Sequence, residues 1–157
     1  MNPSQPSPVA ATTITADGWL NYPVHAFPHH TDYAGVVWHG TYINWMEEAR
    51  VEWLRLAGLH YRDLVAVGCD LPVVELSIRY HQSVTMGMDI MIRCRLASPP
   101  KVKIQWEYKI ESVDAGQQYA TATVTLVPVN QKTGKIMRRL PPQLQTLLTH
   151  ASVADCD

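Results

Sequence analysis

Between Trp19 and Phe27 apolar and polar residues alternate, with Leu20, Tyr22, Val24 and Ala26 on one side and Asn21 and His25 on the other. That period of two predicts a strand. Pro23 has no backbone N–H and confines this strand to a sheet edge or a bulge. From Thr41 to Ala57 the period becomes helical. Tyr42, Trp45, Met46, Ala49, Trp53, Leu56 and Ala57 fall on one arc, and Asn44, Glu48, Glu52 and Arg55 lie outside it. Thr41 is the expected N-cap and Gly58 the residue that ends the helix. Arg50 falls inside the apolar side, where an unpaired charge is costly. Its expected partner is Glu47 one turn earlier, or a group across a subunit interface. His60 to Val67 predicts a short second helix closed by Gly68.

Four strands follow. Leu76, Ile78 and Tyr80 alternate with polar neighbours, as do Ile90, Ile92, Cys94 and Leu96. Val102 to Ile110 and Ala120 to Leu126 repeat the pattern. Pro99-Pro100, Asp114-Ala115-Gly116 and Asn130 to Gly134 mark turns, and Pro141-Pro142 opens a terminal helix through Leu148. Such alternation predicts an antiparallel sheet with one apolar face. The apolar arc of the long helix needs that face, so the fold class is α+β, with the helix across a curved sheet. An exposed sheet edge is expected to pair into a dimer.

At 157 residues and 46% apolar content the chain suits one domain. Residues 1–18, rich in Pro, Ser, Ala and Thr, are expected to be a disordered tail, residues 19–148 the domain, and 149–157 a flexible end. The first eighteen residues lack the basic and apolar regions of a signal peptide. Thirteen basic against fourteen acidic side chains give no electrostatic reason to expect nucleic acid, and no apolar run is long enough for an integral membrane segment. Cys69, Cys94 and Cys156 form no C-x-x-C pair, which favours plain thiols in a reducing cytoplasm.

The chemistry concentrates in His29 to Tyr42, the loop between the first strand and the long helix. No G-x-S-x-G, Walker loop or G-x-G-x-x-G occurs. His25, His29, His30 and His39 cluster there, but no second carboxylate or cysteine converges at ligand spacing, so no metal is expected. Asp32 remains. It either caps backbone N–H groups, or stands beside an anion-favouring pocket at the helix start, where N–H groups near Trp38 to Gly40 polarise a carbonyl. Gly35 and Gly40 would let a substrate approach the backbone. From the residues alone both readings stand.

Asp32-Tyr33-Ala34-Gly35-Val36-Val37-Trp38-His39-Gly40-Thr41-Tyr42, followed by Glu47-Glu48-Ala49-Arg50, resembles the D-x-x-G-V-V-x-H-x-x-Y…E-x-A-R signature of hotdog-fold acyl-CoA thioesterases. The branch is that of 4-hydroxybenzoyl-CoA thioesterase and bacterial short-chain acyl-CoA thioesterases. The likeness spans residues 19–148 and includes Arg139-Leu140-Pro141, similar to the R-x-P ending of many members.

The resemblance implies a curved antiparallel sheet wrapped round one long helix, dimers joined sheet edge to sheet edge, and often tetramers. It implies Asp32 as nucleophile or general base and the backbone N–H at His39 as the polarising donor, with the His39 side chain near the carbonyl or water. Gly35, Val37, Trp38, Gly40 and Tyr42 would border the substrate, and Glu47 and Arg50 would form a scaffold pair near the interface. Arg138 and Arg139 would meet coenzyme A phosphates. No cofactor is implied beyond the coenzyme A of the substrate, and the expected location is the cytoplasm. Trp38 stands where the family commonly has tyrosine or phenylalanine, and Gly40-Thr41 where it has Ala/Pro-Asn. Both border the acyl pocket, which leaves aromatic and short or medium aliphatic acyl groups open. A dehydratase of the same fold and a non-catalytic binding scaffold are the alternative readings.

Overall fold

The computed structural model describes residues 12–97 and 102–153. In chain order it contains β1 (Thr13–Ile14), β2 (Leu20–His25), a 3-10 turn (Pro28–His30), α1 (Thr41–Leu56), α2 (Tyr61–Ala66), β3 (Cys69–Asp70), β4 (Val73–Tyr80), β5 (Asp89–Leu96), β6 (Ile104–Ser112), β7 (Gln118–Leu126), β8 (Val129–Asn130) and α3 (Pro142–Val153). Six strands form one antiparallel sheet in the order β1-β2-β5-β6-β7-β4, and β3 pairs with β8 in a separate ribbon. This is the hotdog arrangement, with α1 as the filling.

The period-two segments bury their apolar side against the helix. Ile92, Cys94, Trp106, Tyr108, Ile110 and Ala122 meet Trp45, Met46, Ala49 and Trp53 in one core. Trp53 and Trp106 pack edge to face with centroids 5.2 Å apart, a geometry worth about 1 kcal/mol beyond the buried area. Arg50 is buried, as its place on the apolar side predicts, but the last turn of α1 is rotated from the expected arc: Leu56 and Ala57 are exposed, whereas Leu54 is buried. The cause is α2 and α3, which bring Tyr61, Leu144 and Leu148 against that flank.

Arg50 does not pair with Glu47, which is exposed. Its Nη1 donates to the Tyr108 hydroxyl at 3.1 Å, and the Tyr61 phenol stands beside the guanidinium as a further acceptor. The guanidinium is reached by two phenols from β6 and α2, groups that the spacing along one helix cannot show.

Pro23 stands beyond the two residues of β2 that β1 covers, so its missing N–H lies on a bare edge. The expected tail gives way at Thr13. β1 pairs with Leu20 and Asn21, Gly18 turns the chain with φ +80°, and its carbonyl accepts the Trp53 indole N–H at 3.0 Å. A polar, proline-rich composition hides an edge strand this short. At the other end α3 continues to Val153, five residues past the expected limit of the domain. The turn expected at Pro99-Pro100 and Cys156 lie outside the described residues.

β4 departs most from expectation. Leu76 and Tyr80, read as a buried face, are 38% and 46% exposed. The strand is the sheet edge next to β7, while α1 packs on β2 and β5 across the sheet.

Candidate active site at the start of the long helix

Residues 31–37 form a tight hairpin. Thr31 bridges Val37, the Asp32 N–H donates to the Val36 carbonyl at 2.8 Å, and Gly35 N–H returns to the Asp32 carbonyl at 3.1 Å. Gly35 adopts φ +74°, a conformation that a side chain would strain. Asp32 Oδ1 accepts the N–H groups of Ala34 at 2.9 Å and Val36 at 3.2 Å. The carboxylate is exposed, and its Oδ2 has no hydrogen-bond partner among the described residues. Asp32 therefore caps its own turn and leaves the helix start to other groups.

The hairpin is seated on the loop before β5. Val37 N–H donates to Val84, Met86 N–H donates to Gly35, and Val36 bridges Thr85. Its return arm reaches α1 through one carbonyl, that of His30, which accepts both the Trp38 N–H at 3.0 Å and the Thr41 hydroxyl at 2.9 Å.

Thr41 is thus not the N-cap. It is the first helical residue, with its hydroxyl spent on His30, and Gly40 takes the cap position without a capping side chain. Among the described residues no acceptor meets the N–H of His39 or Gly40. The helix start therefore leaves two backbone donors without an acceptor at the positive end of the helix dipole, the exposed His39 and the buried Gly40. The Trp38 indole, 52% exposed, lies over Gly40, and the His39 ring sits 4.8 Å from it.

Tyr42 is buried, takes a hydrogen bond from the Val84 backbone, and packs edge to face on Trp45 and Tyr80. A cleft of about 240 Å³ adjoins it, lined by Val36, Val37, His39, Tyr42, Tyr80 and His81 among others. Tyr80 also donates its hydroxyl to the His39 carbonyl at 2.7 Å. In the sequence Tyr80 is only an apolar strand position, and nothing local signals a contact 41 residues away.

The other histidines have separate duties. His25 Nδ1 lies 2.6 Å from Asp89 Oδ1, and His29 stacks on Phe27. His30 Nδ1 accepts the Phe27 N–H. Burial, with His29 adding to it, holds His30 below its ordinary pKa, which suits an accepting nitrogen. Among the described residues no three His, Cys, Asp or Glu side chains gather as a metal would need.

Asp32, Gly35, Val37, Trp38, His39, Gly40 and Tyr42 are thus brought together. Arg138 and Arg139 are not joined to them by any hydrogen bond or ring contact among the described residues. They lie exposed between β8 and α3, on a segment held by the Met137 N–H on the Pro128 carbonyl and by the Val129–Ile136 bridge.

A family profile described as the thioesterase-like superfamily matches residues 27–148. The Synechocystis protein sll0410, an inferred esterase, is 47% identical over 127 residues, covering 81% of this chain and 76% of its own length. Among solved structures, a DHNA-CoA thioesterase from Staphylococcus aureus superposes with a TM-score of 0.79 at 22% identity, over 86% of this chain and 91% of that one. Slr0204 from Synechocystis, a 1,4-dihydroxy-2-naphthoyl-CoA thioesterase, gives 0.77 at 24% identity, over 84% and 96%. At these identities the two structures share the fold.

Proposed function

The chain belongs to the thioesterase-like superfamily, and we propose that it cleaves acyl-CoA esters at the hairpin and helix start around Asp32. The observation that carries the proposal is the pairing of an oriented carboxylate with an uncapped helix. One oxygen of Asp32 is fixed by two backbone N–H groups while the other is open to solvent, and the N–H groups of His39 and Gly40 have no acceptor among the described residues.

The thioester carbonyl oxygen lies at the His39 N–H, where charge developing in the tetrahedral intermediate is stabilised. Asp32 supplies the attack, with its own oxygen or with that of a water it deprotonates. The C–S bond then breaks, coenzyme A leaves as the thiolate and takes a proton, and one water is consumed per free acid formed. The His39 ring lies beside the carbonyl or the water. The reaction needs no cofactor beyond the coenzyme A of the substrate. Arg138 and Arg139 bind its phosphates in a homo-oligomer, dimer or tetramer, where edge pairing through β4 covers Leu76 and Tyr80. No helix of the described residues is long and apolar enough to cross a membrane, and the proposed location is the cytoplasm.

Thiol release from a panel of aromatic and aliphatic acyl-CoA esters tests this. Wild-type protein releases coenzyme A, and Asp32→Asn and Asp32→Ala lose about a hundredfold or more of the rate. Turnover that survives both substitutions removes Asp32 from the mechanism. Hydration of an enoyl thioester without thiol release would favour the dehydratase reading.

A further inference from the structure

Tyr80 ends the edge strand β4, yet its side chain belongs to the start of α1. Its hydroxyl donates to the His39 carbonyl at 2.7 Å, and its ring meets Tyr42 edge on, with centroids 5.1 Å apart and planes at 76°. Burial raises the Tyr80 phenol above its ordinary pKa, so it is a protonated donor throughout the neutral range.

The accepting carbonyl shares a planar unit with the Gly40 N–H. The described chain contains no cis peptide, so that N–H points away from the carbonyl, and holding one end aims the other. Donation to the carbonyl also draws electron density from the amide nitrogen and strengthens its N–H as a donor, by about 10–30% per bond in hydrogen-bond chains. Gly40 N–H has no acceptor among the described residues, and the Trp38 indole lies over Gly40.

We infer that Tyr80 is a positioning residue for thioester hydrolysis. It fixes and polarises the His39–Gly40 peptide so that the Gly40 N–H serves, beside the His39 N–H, as a second donor to the substrate carbonyl oxygen. The inference rests on the proposed placement of that carbonyl at the helix start. It also explains why an exposed edge strand ends in a large aromatic residue turned toward the helix.

The test uses Tyr80→Phe, which keeps the ring against Tyr42 and removes the hydroxyl alone. The probe is an acyl-CoA analogue with a carbonyl-labelled ketone in which CH2 replaces the sulfur. It cannot be hydrolysed, and its infrared C=O stretch reports polarisation directly. Bound to wild-type protein, the stretch falls below its value in buffer. Bound to Tyr80→Phe it returns part of the way, while kcat drops by about five- to tenfold, a fraction of the loss expected for deleting a direct oxyanion donor. KM stays unchanged, and the thermal midpoint falls only by the small amount that one exposed hydrogen bond contributes. An unchanged stretch in Tyr80→Phe overturns the inference, whether kcat holds or falls, because a merely structural tyrosine alters rate without altering the carbonyl. No shift in wild-type protein overturns the carbonyl placement and the inference together. Turnover surviving in both Asp32→Asn and Asp32→Ala defeats the role of Asp32 alone and leaves the Tyr80 result to stand on its own readout.

Discussion

The six-membered ring of Trp38 occupies the space into which a Cβ on Gly40 would project. Such an atom would stand 2.7 Å from Cε3 and closer still to Cζ3 and Cη2. Two of the three residues in which this chain leaves the common family pattern, Trp38 and Gly40, are therefore one feature: a larger aromatic at position 38 requires the glycine at position 40. Gly40→Ala displaces the indole at a cost of about 1 kcal/mol, at the low end for overpacking because the ring is half exposed. Adding Trp38→Ala removes most of that cost. A double-mutant cycle on thermal unfolding measures the coupling, and additive losses would show that the ring and the glycine are independent.

Asp32 has a structural duty that can be separated from its chemistry. Its Oδ1 accepts two turn amides, and asparagine retains an acceptor there. Asp32→Asn is expected to unfold at the wild-type temperature while losing activity. Asp32→Ala also loses about 1–2 kcal/mol of stability as those N–H groups go unmet. Chemical denaturation of both variants gives the comparison.

Arg138 and Arg139, proposed to meet coenzyme A phosphates, give a prediction that depends on the leaving group. Each alanine substitution raises KM for a coenzyme A ester by about tenfold, the loss of one charge-assisted contact near 1.4 kcal/mol. KM for the matching pantetheine ester, which lacks the nucleotide phosphates, is unchanged. Equal effects on both esters would place the arginines elsewhere.

The buried thiol and phenol in the core set an alkaline limit. Burial raises Cys94 above its ordinary 9.0 and Tyr108 above its ordinary 10.0. Once the pH passes those ordinary values, the unfolded chain releases protons that the folded chain still holds, so stability falls as pH rises. The contribution is fully present below the unfolded values. Thermal midpoints measured from pH 7 to 11 should hold level to about pH 9 and then decline. Cys94→Ala should make the first part of that decline shallower.

β1 carries more stability than its two residues suggest. A chain starting at Trp19, compared with one starting at Thr12, loses the acceptor of the Trp53 indole N–H and the packing of Ile14. The expected difference is about 2 kcal/mol, one hydrogen bond and part of an isoleucine, read as a shift in the denaturation midpoint.

What the sequence disclosed follows from the range of the interactions. β5, β6 and β7 repeat every two residues and α1 turns every 3.6, so neighbouring positions along the chain report which side is buried. Gly35 announces the hairpin, because its φ of +74° suits little else. Arg50 was recognisable as a charge in need of a partner, but Tyr108 and Tyr61 arrive from other elements and leave no trace at positions 47 to 54. Tyr80 likewise reads as one more apolar strand residue until the sheet carries it to His39. The exposure of β4 was hidden for the converse reason: alternation tells which residues share a face, not whether α1 reaches that face.

The spacing between the carboxylate and the helix start depends on the His30 carbonyl, which holds the Trp38 amide and the Thr41 hydroxyl at once. A main-chain oxygen persists through every substitution at its own position. On the proposed mechanism, side chains that border the acyl group can therefore be exchanged while Asp32 and the helix start keep their spacing. Specificity and chemistry would then vary independently on one scaffold.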